Sequence, residues 1–192
     1  MSGWLNEPLA RFVERIGDET PAPGGGSTAA VVIAMAAALV EMAARFSRAW
    51  DGAEDATARA LQLRERALPL ARRDAEAYEA VLQAAKAPGA GREAELSAAL
   101  AGASVVPLEL AELGSDVAEL AAAVVSSGKI GLRGDAAAGA VLAAAGARIA
   151  ANLVAINLAG SPDDERVDRA AALAAAAARA AAAADRALRA TA

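Results

Sequence analysis

An all-α fold, an elongated bundle of about six helices, is what this sequence predicts, and three observations predict it. About a third of the 192 residues are alanine, the strongest helix former and far above ordinary usage. Aromatic residues make up only 3%, and β-branched residues are too sparse for a large sheet. Apolar residues recur at helical spacing in stretches separated by proline and glycine breaks.

The first helix is expected over Trp4 to Gly17, where Leu5, Leu9, Phe12, Val13 and Ile16 keep helical spacing. The second runs from Ser27 to Trp50 and is apolar nearly all round until Glu41, the mark of a central core helix. The third spans Ala53 to Ala87, where Pro88-Gly89 stops it, and Pro69 should kink or break it. The fourth covers Arg92 to Ser126 with a second kink at Pro107. The glycine-rich stretch Ser127 to Gly134 is a loop, and the fifth helix follows from Asp135 to Ala159. Gly160-Ser161-Pro162 ends it, and the sixth occupies Asp163 to Ala190. No linker or fixed-period repeat divides the chain, so residues 1–192 are expected to form one helical domain. A 30-residue helix is about 45 Å long, whereas a compact chain of this size has a radius of gyration of about 16 Å. The bundle is therefore elongated, and the apolar excess points to a two-fold homodimer.

Composition excludes much chemistry. The net charge of −5 argues against nucleic acid as a partner. With no cysteine and no histidine there is no thiolate nucleophile, no Ser-His-Asp triad and no His- or Cys-ligated metal. Acid–base work falls to carboxylates, lysine, tyrosine, backbone or water. The longest uncharged apolar run, Ala29 to Val40, is too short to span a bilayer of about 20 helical residues. No signal peptide precedes it, so no membrane partner and a cytoplasmic location are expected.

The segment Thr20-Pro21-Ala22-Pro23-Gly24-Gly25-Gly26-Ser27 is the outstanding local feature. Such a stretch is costly to order, and it opens a helix whose free N–H groups suit an anion or a polarised oxygen. A plain turn with Ser27 as N-cap is the alternative on spacing alone. Asp74 falls on the apolar stripe Leu63, Leu70, Ala77 and Val81 of the third helix, where a carboxylate is expensive unless paired or used. Asp135 opens the fifth helix, either as an N-cap or as a second functional acid. Arg45 and Arg48, beside Phe46 and Trp50, suit an anion near aromatic rings or a helix C-terminus. Arg148, Asn152 and Asn157 interrupt the apolar fifth helix and need partners, and Tyr78 reads as core.

Five elements carry a resemblance. TPAPGGGSTAA, Asp74-Ala75-Glu76-Ala77-Tyr78, Val105-Val106-Pro107-Leu108, Gly134-Asp135 and Ile156-Asn157-Leu158 with Asp163-Asp164 resemble, in order, the motifs of the cyclodeaminase/cyclohydrolase family. The chain departs from that pattern at Phe46 to Trp50, at Gly134 and at Leu153. The resemblance implies an all-α, dimer-forming fold acting on a tetrahydrofolate substrate, with no further cofactor and no metal. The activity implied is that of a methenyltetrahydrofolate cyclohydrolase or a formimidoyltetrahydrofolate cyclodeaminase. Asp74 and Asp135 would be the catalytic acids. Pro23, Gly24, Gly25, Gly26, Ser27, Arg45, Arg48 and Asn157 would bind substrate. The alternative is a non-catalytic homologue that binds folate or another small molecule, or an oligomeric scaffold.

Overall fold

The computed structural model describes residues 6–190, and all regular structure in them is helical. The helices are α1 (Leu9–Gly17), α2 (Gly25–Arg45), α3 (Ala53–Lys86), α4 (Arg92–Ala103), α5 (Val105–Ser127), α6 (Arg133–Asn157) and α7 (Glu165–Arg189), with a 3-10 turn at Ile130–Leu132. The six expected helices are all present, the fourth as the pair α4 and α5. The expected α1 residues Trp4 and Leu5 lie outside the described residues. Within α1 only Phe12 is buried, so that helix contributes little to the core.

Small residues make the bundle. Alanine and glycine let helix backbones approach closely, so the core is alanine-lined around Ile33, Val40, Leu70, Leu110, Leu113 and Val117. A Cβ on Gly146 would lie 2.5 Å from Ile33, and one on Gly139 2.9 Å from Val40. These contacts fix α2 and α6 as antiparallel neighbours. A Cβ on Gly114 would stand 3.0 Å from the Ala143 carbonyl, which brings α5 equally close to α6. At the far end of α2 the buried Ser47 hydroxyl donates to the Ala43 carbonyl (2.7 Å) and accepts from the Lys129 N–H (2.8 Å), clipping α2 to the loop after α5.

The two internal prolines behave differently from each other. Pro69 leaves α3 unbroken, contrary to the expected kink or break. It lies on the exposed face with Glu65, whose carbonyl loses its helical donor there, so water can serve that oxygen. Pro107 is buried, and the break comes three residues earlier, at Ser104. The freed carbonyls there are inside the protein and must find donors. Asn157 Nδ2 donates to the Ala103 carbonyl, the one Pro107 cannot serve, at 3.1 Å. Arg166 Nη1 donates to the Ala101 carbonyl (2.9 Å) and to Ser104 Oγ (2.8 Å). Arg166 is itself gripped by Asp164, the N-cap of α7, whose carboxyl it holds down at a pKa of about 2.

Helix boundaries differ from expectation at three starts. α2 begins at Gly25, so Gly24 rather than Ser27 is its N-cap, and it stops at Arg45 before the Phe46 to Trp50 segment. α6 begins at Arg133, which places Asp135 inside the first turn rather than at the cap. α7 begins at Glu165, two residues later than expected. The stretches Gly25–Arg45, Arg92–Ser127 and Ile130–Asn157 are long and apolar enough to cross a membrane by length and composition, although the uninterrupted apolar run Ala29 to Val40 is not. The reason is that isolated charges and small residues shorten every run without lowering the mean hydropathy much. In the bundle, 56% of the most apolar window of α2 is buried against other helices.

Candidate active site

A cleft of about 320 Å³ opens where the N-terminus of α2, the middle of α3, the α4–α5 break and the C-terminal turn of α6 converge. Gly24, Gly25 and Gly26 form one wall, with Ala22 before them and a cis peptide bond between Ala22 and Pro23. Asp74 and Tyr78, one helical turn apart on α3, form another. Pro107 and Asn157 complete it with Leu153 and Ile156. Among the described residues, Asp74 is the only charged one lining the cleft.

The glycines are not equivalent. A Cβ on Gly26 would fall 2.0 Å from Asp74 Oδ1, so only glycine lets the carboxyl sit against the first turn of α2. Around Gly24 and Gly25 nothing lies within 4 Å of an added Cβ, which leaves backbone open to the cleft. The N–H groups of that turn are free of intrahelical partners, and of them the Ser27 N–H is taken by the Asp74 carboxyl.

Ser27 is fully buried, and its hydroxyl lies 2.8 Å from the Ala71 carbonyl oxygen and 3.2 Å from Asp74 Oδ2. Burial pushes the Asp74 carboxyl above the ordinary carboxylate range, while hydrogen bonding from the Ser27 hydroxyl and backbone N–H pulls against that rise. A carboxyl group so placed exchanges protons more readily near neutrality than a surface aspartate does.

The remaining expected residues lie elsewhere or act differently. Pro23 is buried behind the cleft wall and does not line it. Asn157 lines the cleft but spends its amide N–H on Ala103, so its Oδ1 is the atom left for a ligand. Within one chain Asp135 is not brought to Asp74. Counting along antiparallel α2 and α6 from the Gly139–Val40 contact, Asp135 is level with Ala44 of α2 and Asp74 with Gly26, so the two acids are about 27 Å apart along the bundle axis. Arg45 and Arg48 line a separate open hollow of about 550 Å³ with Trp50, Asp51 and Glu54, and Arg45 pairs with Glu41. Arg148 and Asn152 point outward rather than into a buried network, and Tyr78 is 45% exposed rather than core. Tyr78 was recoverable from spacing, since a residue four after Asp74 shares its helix face. Leu153 and Ile156 carry no comparable signal, because their place depends on how α6 meets α3.

A family profile for formiminotransferase-cyclodeaminase matches residues 8–176, nearly the whole chain. The chain belongs to the formiminotransferase-cyclodeaminase family. Among relatives of that family, the methenyltetrahydrofolate cyclohydrolase of Methylorubrum extorquens is 32% identical over 171 residues, covering 82% of each protein. The formimidoyltransferase-cyclodeaminase of Sus scrofa is 38% identical over 121 residues, which are 56% of this chain and 22% of that longer protein. The crystal structure of formiminotetrahydrofolate cyclodeaminase from Thermotoga maritima superposes with a TM-score of 0.87 at 27% identity, covering 97% of this chain and 98% of that one. The family's bundle thus extends to both ends of α2 and α6, where the glycine-rich turn and the Arg45 hollow lie.

Proposed function

We propose that this chain is a methenyltetrahydrofolate cyclohydrolase that uses Asp74 for proton transfer. The observation that carries the reading is the half-buried Asp74, which among the described residues is the one charged group lining a mainly apolar cleft walled by the open backbone of Gly24 and Gly25. The methenyl bridge of the substrate is cationic, and an anionic carboxylate in an apolar cleft complements it. In the reaction, water adds to the methenyl carbon as ionised Asp74 takes one of its protons. The carbon–N5 bond then breaks, N5 receives the proton back from Asp74, and the remaining hydroxyl proton leaves to solvent. The 10-formyl product and one net proton result. A carboxylate whose pKa is raised is a stronger base, so it takes the proton from water more readily than an ordinary aspartate does. Asn157 Oδ1 accepts from an N–H of the pterin, and the free N–H groups of α2 hold an oxygen. No cofactor beyond the tetrahydrofolate itself is required.

The relationship to the Thermotoga cyclodeaminase favours a second reading on the same residues, in which N10 attacks a formimino carbon and ammonia leaves. The test is to mix purified protein with methenyltetrahydrofolate and follow loss of its chromophore. Acceleration over buffer is expected, with Asp74→Asn reducing turnover about 100-fold or more. If folded protein gives no acceleration but releases ammonia from formiminotetrahydrofolate, the cyclodeaminase reading replaces it.

The working unit on this reading is a two-fold dimer. The outward row of α2 is Val31, Met35, Leu39, Met42 and then Phe46, with Met35 49% and Phe46 61% exposed. On neighbouring α6, Val141 and Ile156 are also exposed. An antiparallel pairing of α2 with its copy, centred on Met35, sets the Arg45 end of one chain against the Gly24 end of the other. Asp135 and Arg45 of the second copy would then join Asp74, with Arg45 or Arg48 taking the glutamate tail of the folate.

A further inference from the structure

Ser27 makes two contacts with one hydrogen. A hydroxyl has a single O–H to donate and two lone pairs to accept with. Its oxygen is 2.8 Å from the Ala71 carbonyl, which only accepts, and 3.2 Å from Asp74 Oδ2. If the hydrogen goes to Ala71, the contact with Asp74 is a hydrogen bond only when the carboxyl carries its own proton and donates it to Oγ. If Asp74 is ionised, the hydroxyl must turn to it. Both arrangements satisfy every buried atom with the heavy atoms where they stand.

We propose that Ser27 is a positioning residue whose hydroxyl hydrogen turns between the Ala71 carbonyl and Asp74 as the carboxyl gains and loses its proton. The inference rests on Asp74 being the group that exchanges a proton with substrate. With Asp74 neutral, the chain of donors runs from the carboxyl to Ser27 to Ala71. With Asp74 ionised, the Ser27 hydroxyl donates to the carboxylate from the same position. The carboxyl thus keeps a partner in both states and need not move between them. Among the described residues lining the cleft, no competing charge faces it. α2 offers Gly24 to Gly26, the α4–α5 break offers Ala103 and Pro107, and α6 offers Leu153, Ile156 and neutral Asn157. α3 itself adds the Tyr78 phenol, and the adjacent Arg73 is engaged by Glu109 at 3.2 Å. Ser27 lies outside the cleft lining, so it acts through Asp74 rather than on substrate.

The test is a titration of Asp74 in the unliganded protein, labelled with carbon-13 at aspartate Cγ, the resonance assigned by its loss in Asp74→Asn. Ser27→Ala removes the donor to the charged form and is expected to raise the Asp74 midpoint by about one pH unit. Ser27→Cys, nearly isosteric with a weak donor, should raise it by a smaller amount and covers the case in which the alanine variant does not fold. The acid limb of the kcat/KM profile should move in parallel. An unchanged or lowered midpoint in the variants that fold overturns the proposal, since a serine that merely braces α2 against α3 would lower the melting temperature and leave the midpoint in place. The titration needs no folate, so absent turnover would refute the functional reading while the Ser27–Asp74 coupling is still measured.

Discussion

Asp74 carries opposed demands from folding and from function. Its carboxyl is held above the usual value of 3.8 chiefly by burial, so the folded state keeps that proton longer than the unfolded chain does. Ionisation therefore costs stability as pH rises from about 4 through the raised folded value. Asp74→Asn should melt higher than the parent at pH 7, with the gain vanishing below about pH 4, while turnover falls. Equal melting temperatures at pH 7 would remove the desolvation argument. The neighbouring glycines make a second prediction at this scale. Gly26→Ala places a methyl on the Asp74 carboxyl and should lose both stability and turnover, whereas Gly25→Ala meets open space and should fold normally with a raised KM. Identical behaviour of the two variants in melting and kinetics would contradict this assignment. The suspicious acid was legible from its place on an apolar stripe of α3. Ser27 was legible as a cap or, through the resemblance, as a substrate contact, but not as the partner of Asp74, because that partnership depends on how α3 lies across α2.

At the scale of elements, the helices could be read from alanine content and spacing, but the consequences of the two prolines could not. Periodicity marks where a proline sits in a helix, not whether the orphaned carbonyl faces water or protein. Pro69 is exposed and harmless to α3, whereas buried Pro107 requires the Asn157 amide to take the Ala103 carbonyl. That pairing predicts a thermodynamic cycle. Asn157→Ala should cost about 1 kcal/mol in urea unfolding by stranding the carbonyl. In a Pro107→Ala background, the restored N–H can take the carbonyl, and the cost should shrink substantially. The same loss in both backgrounds would show that Asn157 does not act through Ala103. The start of α6 was misjudged by two residues because Arg133 and Gly134 give no capping signal, and Asp135 was mistaken for the cap.

At the scale of the whole molecule, the predicted site was divided between the two ends of a long bundle. Sequence motifs carry no information on distance, so Asp74, Asp135 and Arg45 were grouped although one chain separates them. The proposed two-fold partner would regroup them, and mixing decides whether it does. Asp74→Asn and Asp135→Asn are each expected to be inactive. Unfolded together and refolded as mixed dimers, they should regain about a quarter of parental turnover, because half the dimers hold one intact shared site. No regain, with mixed dimers demonstrated by mass spectrometry, would place Asp135 outside the site. If the proposed dimer forms through α2, Met35→Glu should halve the mass seen in light scattering, and an unaltered dimer mass would move the interface to another face.

The glycine contacts between α2, α5 and α6 also invert the usual pattern of mutational tolerance. In most proteins the damaging interior substitutions delete atoms and leave voids. This interior has few atoms to delete, since much of it is already alanine, and almost no room to add any. A saturation library of the chain should therefore show its harshest losses at gains of a single methyl group, as at Gly114 against the Ala143 backbone, while trimming core side chains is comparatively mild. Evolution of such a bundle is confined less by what it must keep than by what it can never acquire.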